Sequence, residues 1–264
     1  MRDKITCIVQ GMESYFRTFA LADNMYLHET DIEWISPKPN SAGPSIVFKV
    51  SLDERTAGAR LVELVPDLKA GVVPSLWVLS PLSTPPNIVD YLRTIGFEGV
   101  ADSDHPEPGM AVDTDGFSLE SRSGSNIEIK KAVTLAEFAL WVDVVNEALH
   151  GWQLLSIEHY SSWLHHNPLS FYLGCCDGRP IATLATIQYG EAASVEFVST
   201  LKEYRREGVA TALCIEALKD LRLKGVKTVT LRSSTEAISV YTKIGFKPYY
   251  EQLILSFLAD KDAK

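Results

Sequence analysis

The segment from Val195 to Leu213 constrains this chain's fold more than any other. It opens with Val195-Glu196-Phe197-Val198-Ser199-Thr200, passes through the charged Lys202-Glu203-Tyr204-Arg205-Arg206-Glu207, and meets Gly208 where a helical period begins. That pattern predicts a strand, a tight loop and a helix start. Ala210, Leu213, Cys214, Ala217, Leu218 and Leu221 fall on one stripe, Glu216, Lys219, Asp220 and Arg222 lie off it, and Gly225 supplies a stop. The first backbone N–H groups of such a helix lack intrahelical partners and sit at the positive end of its dipole, where phosphate binds well. Gly208 has no Cβ and Ala210 is small, so a ligand can come close to the backbone, and Arg205 and Arg206 bring side-chain charge to the same spot. Glycine-containing strand-to-helix turns also occur where nothing binds. Neither Gly-x-x-x-x-Gly-Lys-Ser/Thr nor Gly-x-Gly-x-x-Gly is present, so neither common nucleotide fingerprint applies.

Val198 to Leu213 resembles the acyl-CoA loop of the GNAT superfamily of N-acetyltransferases, with Arg205, Gly208 and Ala210 matching its Arg/Gln-x-x-Gly-x-Gly/Ala pattern. A second block follows at the expected distance. Thr228-Val229-Thr230-Leu231-Arg232 resembles the next core strand, and Ala237 to Phe246 resembles the following helix with its terminal Gly245-Phe246. The resemblance covers roughly residues 126–264. It implies direct transfer of an acyl group, most simply acetyl from acetyl-CoA, to an amine; the thioester is already activated, so the protein mainly aligns it and excludes water.

The resemblance also implies roles for individual residues. Backbone groups of Phe197, Val198 and Thr200 would hold the pantetheine arm and polarise the carbonyl, while Arg205, Arg206, Gly208, Val209, Ala210 and Thr211 would cradle the pyrophosphate. Ser234 stands where the family often has Asn, a departure that weakens that one contact. Tyr241 matches the family's acid near the sulfur. Glu196 is the candidate base; strand alternation puts it on the face opposite Val195 and Phe197. Trp152, Tyr160 and Trp163 would fall near the acceptor, although aromatic residues on short helices are more often core.

With 264 residues the chain can form one large domain or two ordinary ones. It begins with mixed charge, and Ala70–Val89, the longest uncharged stretch, is broken by Pro74, Pro81, Pro85 and Pro86, so neither a secretory signal nor a membrane span is expected and a cytoplasmic location is the default. Cys7, Cys175, Cys176 and Cys214 show no Cys-x-x-Cys spacing, and His165-His166 have no partner at ligand spacing, so no metal is expected. Of the net charge of −9, residues 1–125 carry −8 (10 Lys and Arg against 18 Asp and Glu) and residues 126–264 carry −1 (15 against 16). Acidity of this kind disfavours nucleic acid and mildly favours amines.

The Ser/Gly/Asp-rich run 113–125 reads as a linker, which divides the chain into lobes 1–125 and 126–264. In the first, helices are expected near 5–22, 56–68 and 87–95, and strands near 32–35, 45–50 and 75–79. Tyr91-Leu92-Arg93-Thr94-Ile95-Gly96-Phe97 parallels Tyr241 to Phe246, which suggests a worn repeat of the same fold. Its loop, Arg55-Thr56-Ala57-Gly58-Ala59-Arg60, has the bulky Arg60 in place of a small residue, so this lobe is not expected to bind cofactor. It would shape the acceptor site or an oligomer interface, such as that of a homodimer. In the second lobe, strands at 127–131, 169–175 and 181–189 precede the core block, with helices at 135–149 and 157–164. The fold class is therefore α/β (α+β): a mixed central sheet flanked by helices, GNAT-like, in two tandem lobes. The acceptor is a small-molecule or peptide amine. The rival readings are a non-catalytic acyl-CoA-binding or scaffold protein on the same fold, and transfer of aminoacyl or longer acyl groups.

Overall fold

The computed structural model describes residues 3–100, 107–117, 126–151 and 153–258. The apolar stripe of the first helix forms α1, Lys4–Phe19, whose start is capped by the Asp3 carboxylate accepting from the Ile5 N–H. Then come β1 (Met25–His28), β2 (Ile32–Pro37), β3 (Ile46–Val50), α2 (Ala57–Lys69), β4 (Leu76–Leu79), α3 (Ile88–Thr94), β5 (Phe97–Gly99) and β6 (Pro108–Asp113). The second half contributes β7 (Ile127–Lys131), α4 (Leu135–Val145), α5 (Ile157–Tyr160), β8 (Leu169–Cys176), β9 (Arg179–Tyr189), β10 (Ala192–Thr200), α6 (Val209–Leu223), β11 (Thr228–Arg232), α7 (Ile238–Ile244), β12 (Lys247–Glu251) and β13 (Leu253–Phe257). α4 starts in a capping box between Thr134 and Glu137 and ends in a wider π-type turn, Asn146–His150.

The strands form two sheets, β1-β2-β3-β4-β13-β5 and β12-β6-β11-β10-β9-β8-β7. Reading the second from β8 gives the pattern of the first. Two antiparallel steps (β1-β2-β3; β8-β9-β10) lead to one parallel step (β3-β4; β10-β11), and two more antiparallel steps close each sheet. The helices match as well: α2 and α6 link the parallel strands, and α3 and α7 precede β5 and β12. Gly96 and Gly245 both end their helices left-handed, and Phe97 and Phe246 after them are both buried. The internal repeat suggested by those residues is therefore present in the topology.

The closing strand of each sheet comes from the other half. β6 lies between β11 and β12, with Met110, Ala111 and Val112 buried, while β13 lies between β4 and β5. The strands thus do not sort at residue 125, and the sequence pattern signals no strand at 108–113, where Pro108 and Gly109 read as a turn. Most of the linker run, residues 118–125, lies outside the described residues.

α1 is packed between the sheets. Phe16 stacks on Phe48 of β3 at 5.5 Å, and on the other side Tyr15 meets Phe197 of β10 at 5.3 Å. Gly11 makes the second approach close enough, since a Cβ there would stand 2.7 Å from Thr230 Oγ1 and 3.2 Å from Ser194 Cβ. The roughly 1 kcal/mol that glycine costs a helix interior is offset by this contact. α4 covers the same face of the second sheet, with the Trp141 Nε1–H donating to the Leu184 carbonyl. α6 and α7 cover the opposite face over a core that includes Val195, Leu213, Leu231 and Phe246; α2 and α3 do the same for the first sheet. Among the described residues no helix is long and apolar enough to cross a membrane.

Candidate active site

The site begins with a bulge in β10. Between the pairs Glu196–Ala185 and Ser199–Thr183, β10 advances three residues while β9 advances two, and Phe197 takes up the extra residue with φ +53°. Thr183 fixes this kink: its Oγ1 donates to the Phe197 carbonyl at 2.9 Å and pairs with Ser199 Oγ at 2.7 Å. The bulge corrects the alternation expected from sequence. Glu196 does lie opposite Val195, but it shares the α1 face with Phe197, whose ring packs on Trp141, Trp163 and Tyr15. Val198 instead joins the core under α6.

The parallel pairing of β10 with β11 covers only Ala192–Ser194 against Thr228–Thr230. Beyond it the strands part, leaving Val195–Thr200 on one side of a wedge and Leu231–Ser234 on the other. α6 starts next to that wedge. Gly208 precedes it with φ +82°, Arg206 has φ +70°, and no side chain caps the helix. Arg206 and Gly208 are thus left-handed on either side of Glu207, a backbone form that, beside an uncapped helix start, is suited to an anion. Val209 is buried and offers only its backbone there, while Ala210 and Thr211 are half-buried. Arg206 is exposed. Arg205, expected to add charge, is instead a latch: its Nε–H donates to the Thr200 carbonyl at 2.9 Å and its Nη2 to the Ala148 carbonyl at 3.0 Å. It ties the loop to the end of β10 and to the turn after α4.

Ser234 follows β11 in an exposed position, and its side chain caps nothing. Tyr241 on α7 is buried against Phe246. Burial, followed by the neighbouring Cys214 and Glu196, pushes its phenol well above the ordinary value, so it stays protonated at neutral pH. Glu196 is 8% exposed and receives Arg232 Nη2 at 3.0 Å. Burial pushes its carboxyl above the ordinary value, with Arg232 opposing. Sequence reasoning missed Arg232, because its pairing with Glu196 spans 36 residues and depends on the β10–β11 register. Tyr160 and Trp163 are core residues packed on each other and on Phe19, not pocket walls. Trp152 lies outside the described residues. Among the described residues no group of three or more His, Cys, Asp or Glu is placed to hold a metal.

The matching loop in the first lobe has no such features. Past Val50 the end of β3 is held by Thr84, whose N–H donates to the Val50 carbonyl at 3.0 Å and whose carbonyl accepts from Leu52 at 3.2 Å. The wedge is thereby closed by the chain itself. No residue from Asp53 to Gly58 is left-handed, Asp53 puts a carboxylate in the loop, and Arg60 is paired with Asp31 at 3.0 Å. Calorimetric titration is therefore expected to give one acetyl-CoA per chain; two equivalent sites would refute the closure argument.

A bulged strand that parts from its parallel neighbour beside an uncapped helix start leaves an open wedge in the second sheet. Residues 138–246 match the model of the Acetyltransferase (GNAT) family. Among solved structures, the chain is similar to a GCN5-related N-acetyltransferase from Kribbella flavida (TM-score 0.69, 13% identity, 97% of both chains). It is also similar to a tandem GNAT protein from the clavulanic acid biosynthesis pathway (TM-score 0.65, 14% identity, 96% of both chains). A GCN5-related N-acetyltransferase from Sphaerobacter thermophilus aligns over 85% of this chain and 79% of its own (TM-score 0.62, 16% identity). At these identities the likeness establishes the fold, that of a tandem GNAT protein. No curated protein matches the chain in sequence.

Proposed function

We propose that the chain is an acyl-CoA-dependent N-acyltransferase that moves acetyl from acetyl-CoA to an amine, with the working site in the second lobe, within residues 126–264. The observation that carries this reading is the wedge between β10 and β11 with the left-handed pair Arg206 and Gly208 at its mouth. When bound, acetyl-CoA supplies an activated carbonyl. The backbone of Phe197, Val198 and Thr200 orients the donor arm in the wedge, and Ser234 borders it from the β11 side. Gly208, Val209, Ala210 and Thr211 offer backbone N–H groups to the pyrophosphate, with Arg206 supplying charge and Arg205 holding the loop. Glu196, desolvated beside the bulge, accepts the proton of the amine. Tyr241 Oη keeps its proton and donates it as a hydrogen bond to the leaving sulfur.

Tyr241→Phe tests the last role. Turnover, followed as free thiol release, is expected to fall about 10- to 100-fold, within the range of acid–base contributions, while acetyl-CoA affinity holds. Unchanged turnover would remove Tyr241 from the mechanism. If the wild type binds acetyl-CoA and acylates no amine, the non-catalytic binding reading replaces the enzyme.

A further inference from the structure

Beside Glu196, where the two lobes meet, stands a group of polar atoms that the fold leaves without partners. Arg232 lies two residues past the last β10–β11 pair, so its side chain borders the wedge from the β11 side. Its guanidinium lies over the rings of Tyr15 at 4.6 Å and Phe16 at 5.2 Å, both on α1 of the first lobe, and gives one nitrogen to Glu196. Its Nε–H is buried and without a partner among the described residues; so are the Tyr250 hydroxyl and Gln252 Oε1 at the exit of β12. Tyr250 lies in the field of Arg232, and its burial pushes its phenol up to about 12, so it remains a donor. A buried donor left unpaired costs about 1–3 kcal/mol, which a ligand that pairs the Arg232 Nε–H and the Tyr250 hydroxyl would recover.

The unpaired donors at the junction select the ligand. Glu196 pairs with Arg232 and Glu107 also lies in its field, so an ammonium group is accommodated there, but alone it leaves the Arg232 Nε–H and the Tyr250 hydroxyl unpaired. A ligand that brings a carboxylate with its amine pairs both. The carboxylate can take the Arg232 Nε–H and the Tyr250 hydroxyl, while the amine faces Glu196. We propose that the acceptor is an amino acid or a similar amine bearing a carboxylate, held at the lobe junction by Arg232 and Tyr250. This inference rests on the acyl-transfer reading. It also gives the first lobe a function, since Tyr15 and Phe16 hold the guanidinium in place.

The test uses the full chain with saturating acetyl-CoA, following thiol release with alanine, phenylalanine and lysine, each against its decarboxylated counterpart (ethylamine, phenethylamine and cadaverine), and then the remaining amino acids. At least one amino acid is expected to exceed its counterpart by about 100-fold in kcat/KM, the worth of two charge-assisted hydrogen bonds. Tyr250→Phe should raise KM for that amino acid about 10-fold and leave acetyl-CoA affinity unchanged. Tyr250→Phe keeps the ring and the packing, so it stays informative even if Arg232→Gln does not fold. Equal rates with the decarboxylated amines, no turnover of any amino acid, or an unchanged KM in Tyr250→Phe would each overturn the proposal. Calorimetry with acetyl-CoA separates the two readings. If acetyl-CoA does not bind, acyl transfer fails, and the junction is then judged by titrating the amino acids into the protein alone: binding lost in Tyr250→Phe sustains it, and no binding overturns it.

Discussion

Gly208→Val is expected to abolish acetyl-CoA binding while leaving a folded protein. Gly208 has φ +82° immediately before α6, a conformation that costs a residue with a Cβ about 1–2 kcal/mol. The chain has two ways to respond, and both damage the cradle. Either the valine keeps the left-handed turn and puts its branched side chain where phosphate must approach, or the turn relaxes and the N–H groups of Val209 and Ala210 rotate away. Losing two charge-assisted hydrogen bonds at roughly 1.5 kcal/mol each weakens binding at least about 100-fold. The same substitution costs only a small part of a typical 5–15 kcal/mol of stability, so thermal melting should fall by only a few degrees. A folded variant that binds acetyl-CoA as well as the wild type would remove the phosphate site from this loop.

Separating the lobes should have the larger effect on folding. A fragment of residues 126–264 lacks β6, which pairs with β11 over five residues and with β12 over four and buries Met110, Ala111 and Val112. It also lacks α1, so Phe197 loses the cover of Tyr15 and Phe19. Nine lost strand pairings at about 0.5–1.5 kcal/mol each already approach the whole stability of a domain. The fragment is expected to be insoluble or to melt without a cooperative transition, with β11 and β12 presenting open edges. Residues 1–125 alone lack β13 between β4 and β5 and should fail in the same way. Co-expressing the two pieces should restore a soluble complex, because each carries the closing strand of the other. A monomeric 126–264 fragment that unfolds cooperatively and binds acetyl-CoA would show that the exchanged strands are dispensable.

The first lobe is acidic and has no usable wedge of its own. Thr84 closes the position where the second lobe opens, and Arg60 is committed to Asp31. What this lobe contributes is α1, which brings Tyr15 and Phe16 over Arg232 and Tyr15 against Phe197. One repeat thus carries the open wedge while the other completes the ground beside it.

Whatever depends on neighbours along the chain was legible from the residues alone. Gly208 between a Val/Thr-rich run and a helical stripe is enough to place β10, the loop and the start of α6, because φ at glycine and the 3.6-residue period are local properties. The same holds for Gly96-Phe97 and Gly245-Phe246, whose shared helix ending disclosed the repeat. Features that depend on which strand meets which emerged only in the folded chain. β6 hides behind Pro108 and Gly109, and the hydrogen bonds of a closing strand are chemically the same in either sheet, so the exchange is decided by the side-chain packing each strand meets, as with the buried Met110, Ala111 and Val112. Strand alternation put Glu196 opposite Phe197, and one extra residue in the bulge put them on the same face. Arg205 and Arg206 are adjacent and carry the same charge, yet one is a latch on Thr200 and Ala148 and the other is exposed at the cradle. Arg232 gave no signal in the sequence because an arginine near the end of a strand is ordinarily solvated; it becomes a buried partner of Glu196 only once the first lobe's α1 covers it.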